Sequence, residues 1–219
     1  MSQYKAILFD LDGVIVETAH FHYLAWKRLA NEKLNSDFTH EFNETLKGIS
    51  RMESLDLILQ NADKEIDIDT KLEYATLKNE WYLELVSKMT PADILEGVPA
   101  FFQQVKAANL KIGLGSVSKN ARMILERVGL INDFDVIIDG TKISRSKPDP
   151  EVFLKGAEEL GFLPEQYIVF EDAVAGIEAA KRANMKAIGI GKSEILTKAD
   201  IVFENFVGMN LEAILQKLQ

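Results

Sequence analysis

Short apolar runs recur along the chain at "KAILF", "LKIGLGS", "FDVII", "YIVFED", "MKAIGIG" and "ADIVFE", and they read as buried strands. Between them, "PAFFQQVKAANL", "NARMILERVGL", "PEVFLKGAEELG" and "VAGIEAAKRAN" repeat apolar residues three and four apart, the spacing of one helix face. Two of these patterns end at a glycine, Gly129 and Gly161, and Asp149 with Pro150 opens the third as a cap and first turn. Strands alternating with helices predict a mainly parallel sheet covered on both faces, an α/β core made by the first strand and residue 93 onward.

Residues 16 to 90 carry only helical patterns: "AHFHYLAWKRLANEKL", "HEFNETLKG", "RMESLDLILQNA" and "TKLEYATLKNEWYLELVSKM". Ser50 with Glu53, and Thr70 with Glu73, have the spacing of capping boxes. The expected organisation is therefore an all-α helical cap, residues 16–92, inserted into a core of residues 1–15 and 93–219, with "TPADILEGVPA" as the return crossing.

Composition narrows the partners. At 219 residues the chain can bury a sizeable core, and a formal charge of -9 argues against a nucleic-acid surface, so any anion must be bound locally. The chain has no cysteine, hence no disulfide framework or thiolate metal site. No apolar run approaches the ~18 residues needed to cross a bilayer, and no basic stretch leads into a signal-length apolar core. The expectation is a soluble cytoplasmic protein, and a monomer because no long exposed apolar stripe is visible.

Candidate chemistry starts in "AILFDLDGVIVET", where an apolar strand runs into Asp10 and Asp12. Residues two apart on an extended chain point the same way, placing both carboxylates at the carboxyl end of a strand, where open α/β sheets bind ligands. Two ionised carboxylates ~5 Å apart at an effective dielectric of ~20 repel by roughly 3 kcal/mol, which calls for a cation or a shared proton. Glu171 and Asp172 follow "YIVF" as candidate ligands of a hard divalent cation such as Mg²⁺. Ser116 follows "KIGLG", and Lys147 in "SRSKPDP" offers a compact positive charge to an oxyanion. Each has an ordinary use as well: Ser116 as a cap, Lys147 as a solvated charge, Glu171 and Asp172 as a helix start. Four such groups in this order, each after a strand, are hard to reconcile with those uses alone.

The order "DLDGV", Ser116, Lys147, "ED" resembles the haloacid dehalogenase superfamily, whose members mostly transfer phosphoryl groups through an aspartyl phosphate on a Rossmann-like core with Mg²⁺. The resemblance implies Asp10 as nucleophile and metal ligand, and Asp12 as general acid/base with its backbone carbonyl facing the metal. It implies Ser116, the Val117 backbone and Lys147 as holders of the phosphoryl group, with Asp172 and Glu171 completing the metal shell. "KGISR", "HFHYLAW" and "SVSKN" further resemble a sugar phosphomutase branch, which interconverts β-glucose 1-phosphate and glucose 6-phosphate through glucose 1,6-bisphosphate, activator and intermediate. That branch implies Arg51 on the phosphate not undergoing transfer, with Lys47 and Gly48 beside it and Ser118 and Asn120 on the core side. His22 and Lys78 would be sugar or hinge contacts, and Thr18 would lie at the hinge. Ala173 stands where serine is common, Val117 where a smaller residue is common, and Glu17 where aspartate is frequent. A phosphatase acting on sugar phosphates, or a binding protein without catalysis, stays open at this level.

Overall fold

Six parallel strands, β1 (Ala6–Phe9), β2 (Lys111–Gly115), β3 (Val136–Ile138), β4 (Tyr167–Glu171), β5 (Lys186–Ile190) and β6 (Ile201–Phe203), form one sheet in the order β3-β2-β1-β4-β5-β6. The computed structural model describes residues 3–218; residues 1, 2 and 219, at the outer ends of the expected core segments, lie outside them. The strand alternation decides what each side chain covers. Ile7 and Phe9 of β1, with Ile168 and Phe170 of β4, pack on α5 (Val98–Ala107), α6 (Ala121–Arg127) and α9 (Leu211–Lys217). Ala6, Leu8, Tyr167 and Val169 point to the opposite face, against α7 (Glu151–Leu160) and α8 (Val174–Arg182). Because both faces are covered, these strands read as continuous apolar runs, and the result is the Rossmann-like sheet expected.

Between β1 and α5 come α1 (Ala19–Leu29), which continues into a π-helical turn at Ala30–Leu34, then α2 (His40–Glu44), α3 (Arg51–Asn61) and α4 (Ile68–Val86). Trp26, Leu29, Phe38, Leu55 and Ile58 give these helices an apolar cluster of their own. The two chain crossings run side by side: Val16 bridges Ile94, and the Leu95 N–H donates to the Ile15 carbonyl at 2.9 Å.

Local signals are met in most places and corrected in two. Gly129 (φ +80°) and Gly161 (φ +76°) follow α6 and α7 in the left-handed conformation that glycine adopts without strain. The Ser50–Glu53 box opens α3, with the Ser50 N–H donating to Glu53 Oε2 at 2.9 Å. The Thr70–Glu73 box does not form. Asp67 takes the Thr70 N–H at 2.8 Å, so α4 begins at Ile68 and Thr70 already lies within its first turn. Helix α7 begins at Glu151 with Pro150 at the cap position, and Asp149 contributes by accepting the Glu151 N–H at 2.9 Å. Among the described residues no helix is long and apolar enough to cross a membrane.

Candidate active site

The strand order sets β1 between β2 and β4, so the residue after β1 is flanked at the carboxyl edge by those ending its neighbours. Asp10 follows β1, Ser116 follows β2, and Glu171 closes β4 with Asp172 next. The pairing of Asp10 and Asp12 does not come from an extended chain, as β1 ends at Phe9. Instead the chain turns, and the Asp12 N–H donates to Asp10 Oδ2 at 3.0 Å.

Lys147 reaches this edge fully buried, donating to Asp10 Oδ1 at 2.5 Å and to Glu171 Oε1. Burial alone would favour a neutral amine, but the Asp10 and Glu171 charges outweigh it and raise its pKa. One carboxylate oxygen each from Asp10, Glu171 and Asp172 lies within 4.8 Å of the others. Burial pushes Glu171 up to about 8, against the pull of Lys147, and Asp172 up to about 7, against the pull of Lys47. Bare backbone makes room for these groups. A Cβ on Gly176 would fall 1.9 Å from Glu171 Oε1, and one on Gly13 2.3 Å from Asp172 Oδ2. An all-oxygen set of three crowded carboxylates fits a hard divalent cation of the Mg²⁺ type, which would hold them ionised.

The Asp12 carboxylate is outside that set and accepts the hydroxyl of Thr18, a buried residue at the start of α1. Burial, followed by the Asp10 charge, raises Asp12 to about 7. On α4, Lys78 is 2% exposed, faces the rings of Trp26 and Tyr82, and sits 2.8 Å from His22 Nδ1 on α1. Burial first, and neighbouring cations second, hold both His22 and Lys78 well below their ordinary pKa values.

Lys47 joins the helices to the sheet. It lies 3.2 Å from Asp172 Oδ2 and 3.0 Å from Glu44 Oε2, which together overcome the cost of its burial and hold it at about 12. Gly48 follows at φ +76°, where a Cβ would come within 3.2 Å of the Ala173 methyl. Arg51 is the first residue of α3. On the sheet side, the Ser118 N–H donates to Ser116 Oγ at 3.1 Å and the Asn120 N–H to Ser118 Oγ at 3.2 Å, so Ser116 here serves its own loop and α6 begins only at Ala121. The Asn120 amide crosses to Asn79 Oδ1 of α4 at 2.9 Å.

These groups surround one cavity of about 450 Å³. Asp10, Asp12, Asp172, Val117, Ser118 and Asn120 line it from the sheet, and His22, Lys47, Gly48, Arg51 and Lys78 from the helices. Thr18, Ser116 and Lys147 stand behind the wall, each buried and bonded to a lining residue, Asp12, Ser118 and Asp10 in turn, and buried Glu171 is bonded to Lys147. The lining also includes residues that the sequence reading passed over: Asn43, Ser54, Asn79 and Arg145. Asn79 adjoins Lys78, and Ser54 stands three residues after Arg51 on α3, a spacing that could have singled it out. Asn43 sits on a helix too short to show a period.

Comparison with known proteins follows the same lines. A family model described as haloacid dehalogenase-like hydrolase matches residues 7–190. The β-phosphoglucomutase of Bacillus subtilis (strain 168) is 44% identical over 212 residues, covering 96% of this chain and 93% of that protein. A phosphorylated carbohydrates phosphatase of Thermotoga maritima is 29% identical over 187 residues, covering 84% and 83%. Among solved structures, a β-phosphoglucomutase from Clostridium difficile matches with a TM-score of 0.94 at 44% identity, covering 98% of this chain and 97% of that one.

Proposed function

Since the chain belongs to the haloacid dehalogenase-like hydrolase family, we propose that it works as a β-phosphoglucomutase, interconverting β-D-glucose 1-phosphate and glucose 6-phosphate. The observation that carries this reading, beside the similarity, is the opposition of two unlike walls across one cavity. Acidic groups, with Lys147 bonded behind them, meet the phosphoryl to be transferred; Arg51, on the helical wall, is the cation that a second phosphate requires. A volume of about 450 Å³ falls within the ~300–1,000 Å³ of small-molecule sites.

In this mechanism phosphorylated Asp10 passes its phosphoryl group to the 6-hydroxyl of β-glucose 1-phosphate, Asp12 taking the hydroxyl proton as the bond to Asp10 breaks and glucose 1,6-bisphosphate forms. The bisphosphate turns end for end, and Asp10 attacks the phosphorus on C1, becoming aspartyl phosphate again while Asp12 returns the proton to the leaving oxygen of glucose 6-phosphate. Asp12, poised at about 7, suits a group that must alternately give and take a proton near neutral pH. Thr18 holds its carboxylate in place. Lys147, Ser116 and the Val117–Ser118 backbone hold the transferring group, while Arg51, Ser118 and Asn120 hold the distal phosphate. Lys78, with His22 against it, borders the sugar, and Lys47 with Gly48 closes the helices onto Asp172. Asp10, Glu171, Asp172 and the Asp12 carbonyl would hold Mg²⁺, which would supply charge neutralisation to the phosphoryl oxygens.

Residues 16–92 then act as a cap over a core of 1–15 and 93–219, excluding water so that the aspartyl phosphate is not hydrolysed. The reading extends to a cytoplasmic monomer; exposed large apolar side chains such as Ile68, Leu163 and Val207 lie on separate segments of the chain. The deciding experiment supplies β-glucose 1-phosphate, Mg²⁺ and a trace of glucose 1,6-bisphosphate, and follows glucose 6-phosphate and free phosphate together. Glucose 6-phosphate with little free phosphate is expected. Free phosphate without the isomer would overturn the mutase in favour of a sugar-phosphate phosphatase.

A further inference from the structure

Among the buried side-chain oxygens and nitrogens of the described residues, only the Tyr82 hydroxyl has no hydrogen-bond partner. Tyr82 is fully buried on α4, outside the cavity lining, with its ring centroid 4.2 Å from that of His22 on α1. The His22 N–H donates to the Thr18 carbonyl at 3.0 Å, so Thr18 stands one turn before His22 on the same side of the helix. Burial, then the Asp12 charge, pushes the Tyr82 phenol well above its ordinary pKa, while Thr18 and the Arg51 charge pull the other way. The hydroxyl therefore keeps its proton, with Thr18 and Asp12 as neighbours. Buried polar groups are almost always hydrogen-bonded, and an orphan beside the general acid/base calls for a reason. Thr18 has the matching need. Its hydroxyl gives its one proton to Asp12 Oδ1, which leaves its own oxygen free to accept.

We propose that Tyr82 is a positioning residue for the proton transfer: its hydroxyl donates to Thr18 Oγ1 as the cavity fills, completing a chain from Tyr82 through Thr18 to Asp12. The step rests on the phosphoryl-transfer reading above. Hydrogen bonds between catalytic groups commonly tighten only when substrate is bound, so an open contact in the empty site fits this role. The chain has a direction. With Tyr82 donating into it, Thr18 can only donate onward, which keeps Asp12 Oδ1 an acceptor and puts the travelling proton on Oδ2. Without Tyr82, the threonine hydroxyl could turn and accept from a protonated Oδ1, holding the proton on the oxygen tied to Thr18 instead of the free one.

The test uses Tyr82→Phe, which removes one oxygen and keeps the ring against His22. Two reactions are compared: turnover of β-glucose 1-phosphate, which needs Asp12 to move a proton, and single-turnover phosphorylation of Asp10 by acetyl phosphate, whose acetate leaves without one. Tyr82→Phe is expected to lower kcat on the sugar by on the order of tenfold, a fraction of the ~10²–10⁴ that acid–base catalysis supplies, with KM little changed. Phosphorylation by acetyl phosphate should fall far less. Tm should equal or exceed that of the parent, because an unpaired buried hydroxyl has been removed. The loss should vanish when Tyr82→Phe is added to Thr18→Val and persist when it is added to Thr18→Ser, which keeps the hydroxyl. Equal losses on both phosphate donors, an unchanged kcat, or the same loss on top of Thr18→Val would overturn the proposal. A parent enzyme that releases phosphate without isomerising would overturn the mutase instead; a leaving sugar oxygen still needs its proton in hydrolysis, so the same comparison would still decide the role of Tyr82.

Discussion

Asp10 is nearly buried among other carboxylates, and Lys147 is the charge that makes this tolerable. As the proposed nucleophile, its replacement by asparagine should abolish trapping of the aspartyl phosphate, measured with a labelled phosphate donor and acid quench. Label retained in Asp10→Asn would move the nucleophile elsewhere. Arg51 lies across the cavity, and Arg51→Ala should cut transfer between sugars by on the order of 30-fold or more, as removing one partner of a buried charge pair costs about 2–5 kcal/mol. Hydrolysis of acetyl phosphate should fall far less; equal losses would remove Arg51 from the distal phosphate. At this scale the sequence was readable where chemistry restricts residue type at a strand end, as with Asp10, Lys147 and Asp172. The Lys47–Asp172 pair and the place of Asn43 in the cavity lining were not readable, because both arise from the way helices settle over a sheet contributed by distant segments.

Elements show the same division. The strands were legible because burial on both faces leaves uninterrupted apolar runs, and α3 because its capping box stands at a break in the pattern. Helix α4 was misplaced by two competing polar residues: Asp67 and Thr70 are both good cap types, and it is Asp67 that accepts the Thr70 N–H and opens the helix. Helix α8 starts hard against the end of β4, and its approach depends on Gly176, where no side chain fits beside the Glu171 carboxylate. Gly176→Ala should therefore displace Glu171, lower stability by about 1–3 kcal/mol as overpacking does, and weaken Mg²⁺ binding measured by calorimetry. A variant with parental Mg²⁺ affinity would show that the helix yields instead of the carboxylate.

For the molecule as a whole, the acidic groups link stability to pH. Asp12, Glu171 and Asp172 have folded-state pKa values of about 7 to 8, above those of an unfolded chain, so the folded protein binds more protons between roughly pH 4 and 8. Stability of the metal-free protein should accordingly fall as pH rises through that window. The gain in Tm on adding Mg²⁺ should grow over the same range, because the cation favours the ionised carboxylates. Melts at pH 5 and pH 8, with Mg²⁺ and with a chelator, test this; a metal-free protein more stable at pH 8 would contradict it.

The position of β1 has a consequence for biogenesis. It is first in sequence of the six strands among the described residues, yet it lies inside the sheet, pairing Ala6 with Lys111 on one side and with Tyr167 on the other. During synthesis β1 waits until residue 111 for β2 and until residue 167 for β4, while the helices between carry an apolar cluster of their own on which to collapse. A nascent chain stalled before β4 would present an unpaired apolar edge, the kind of surface that chaperones capture.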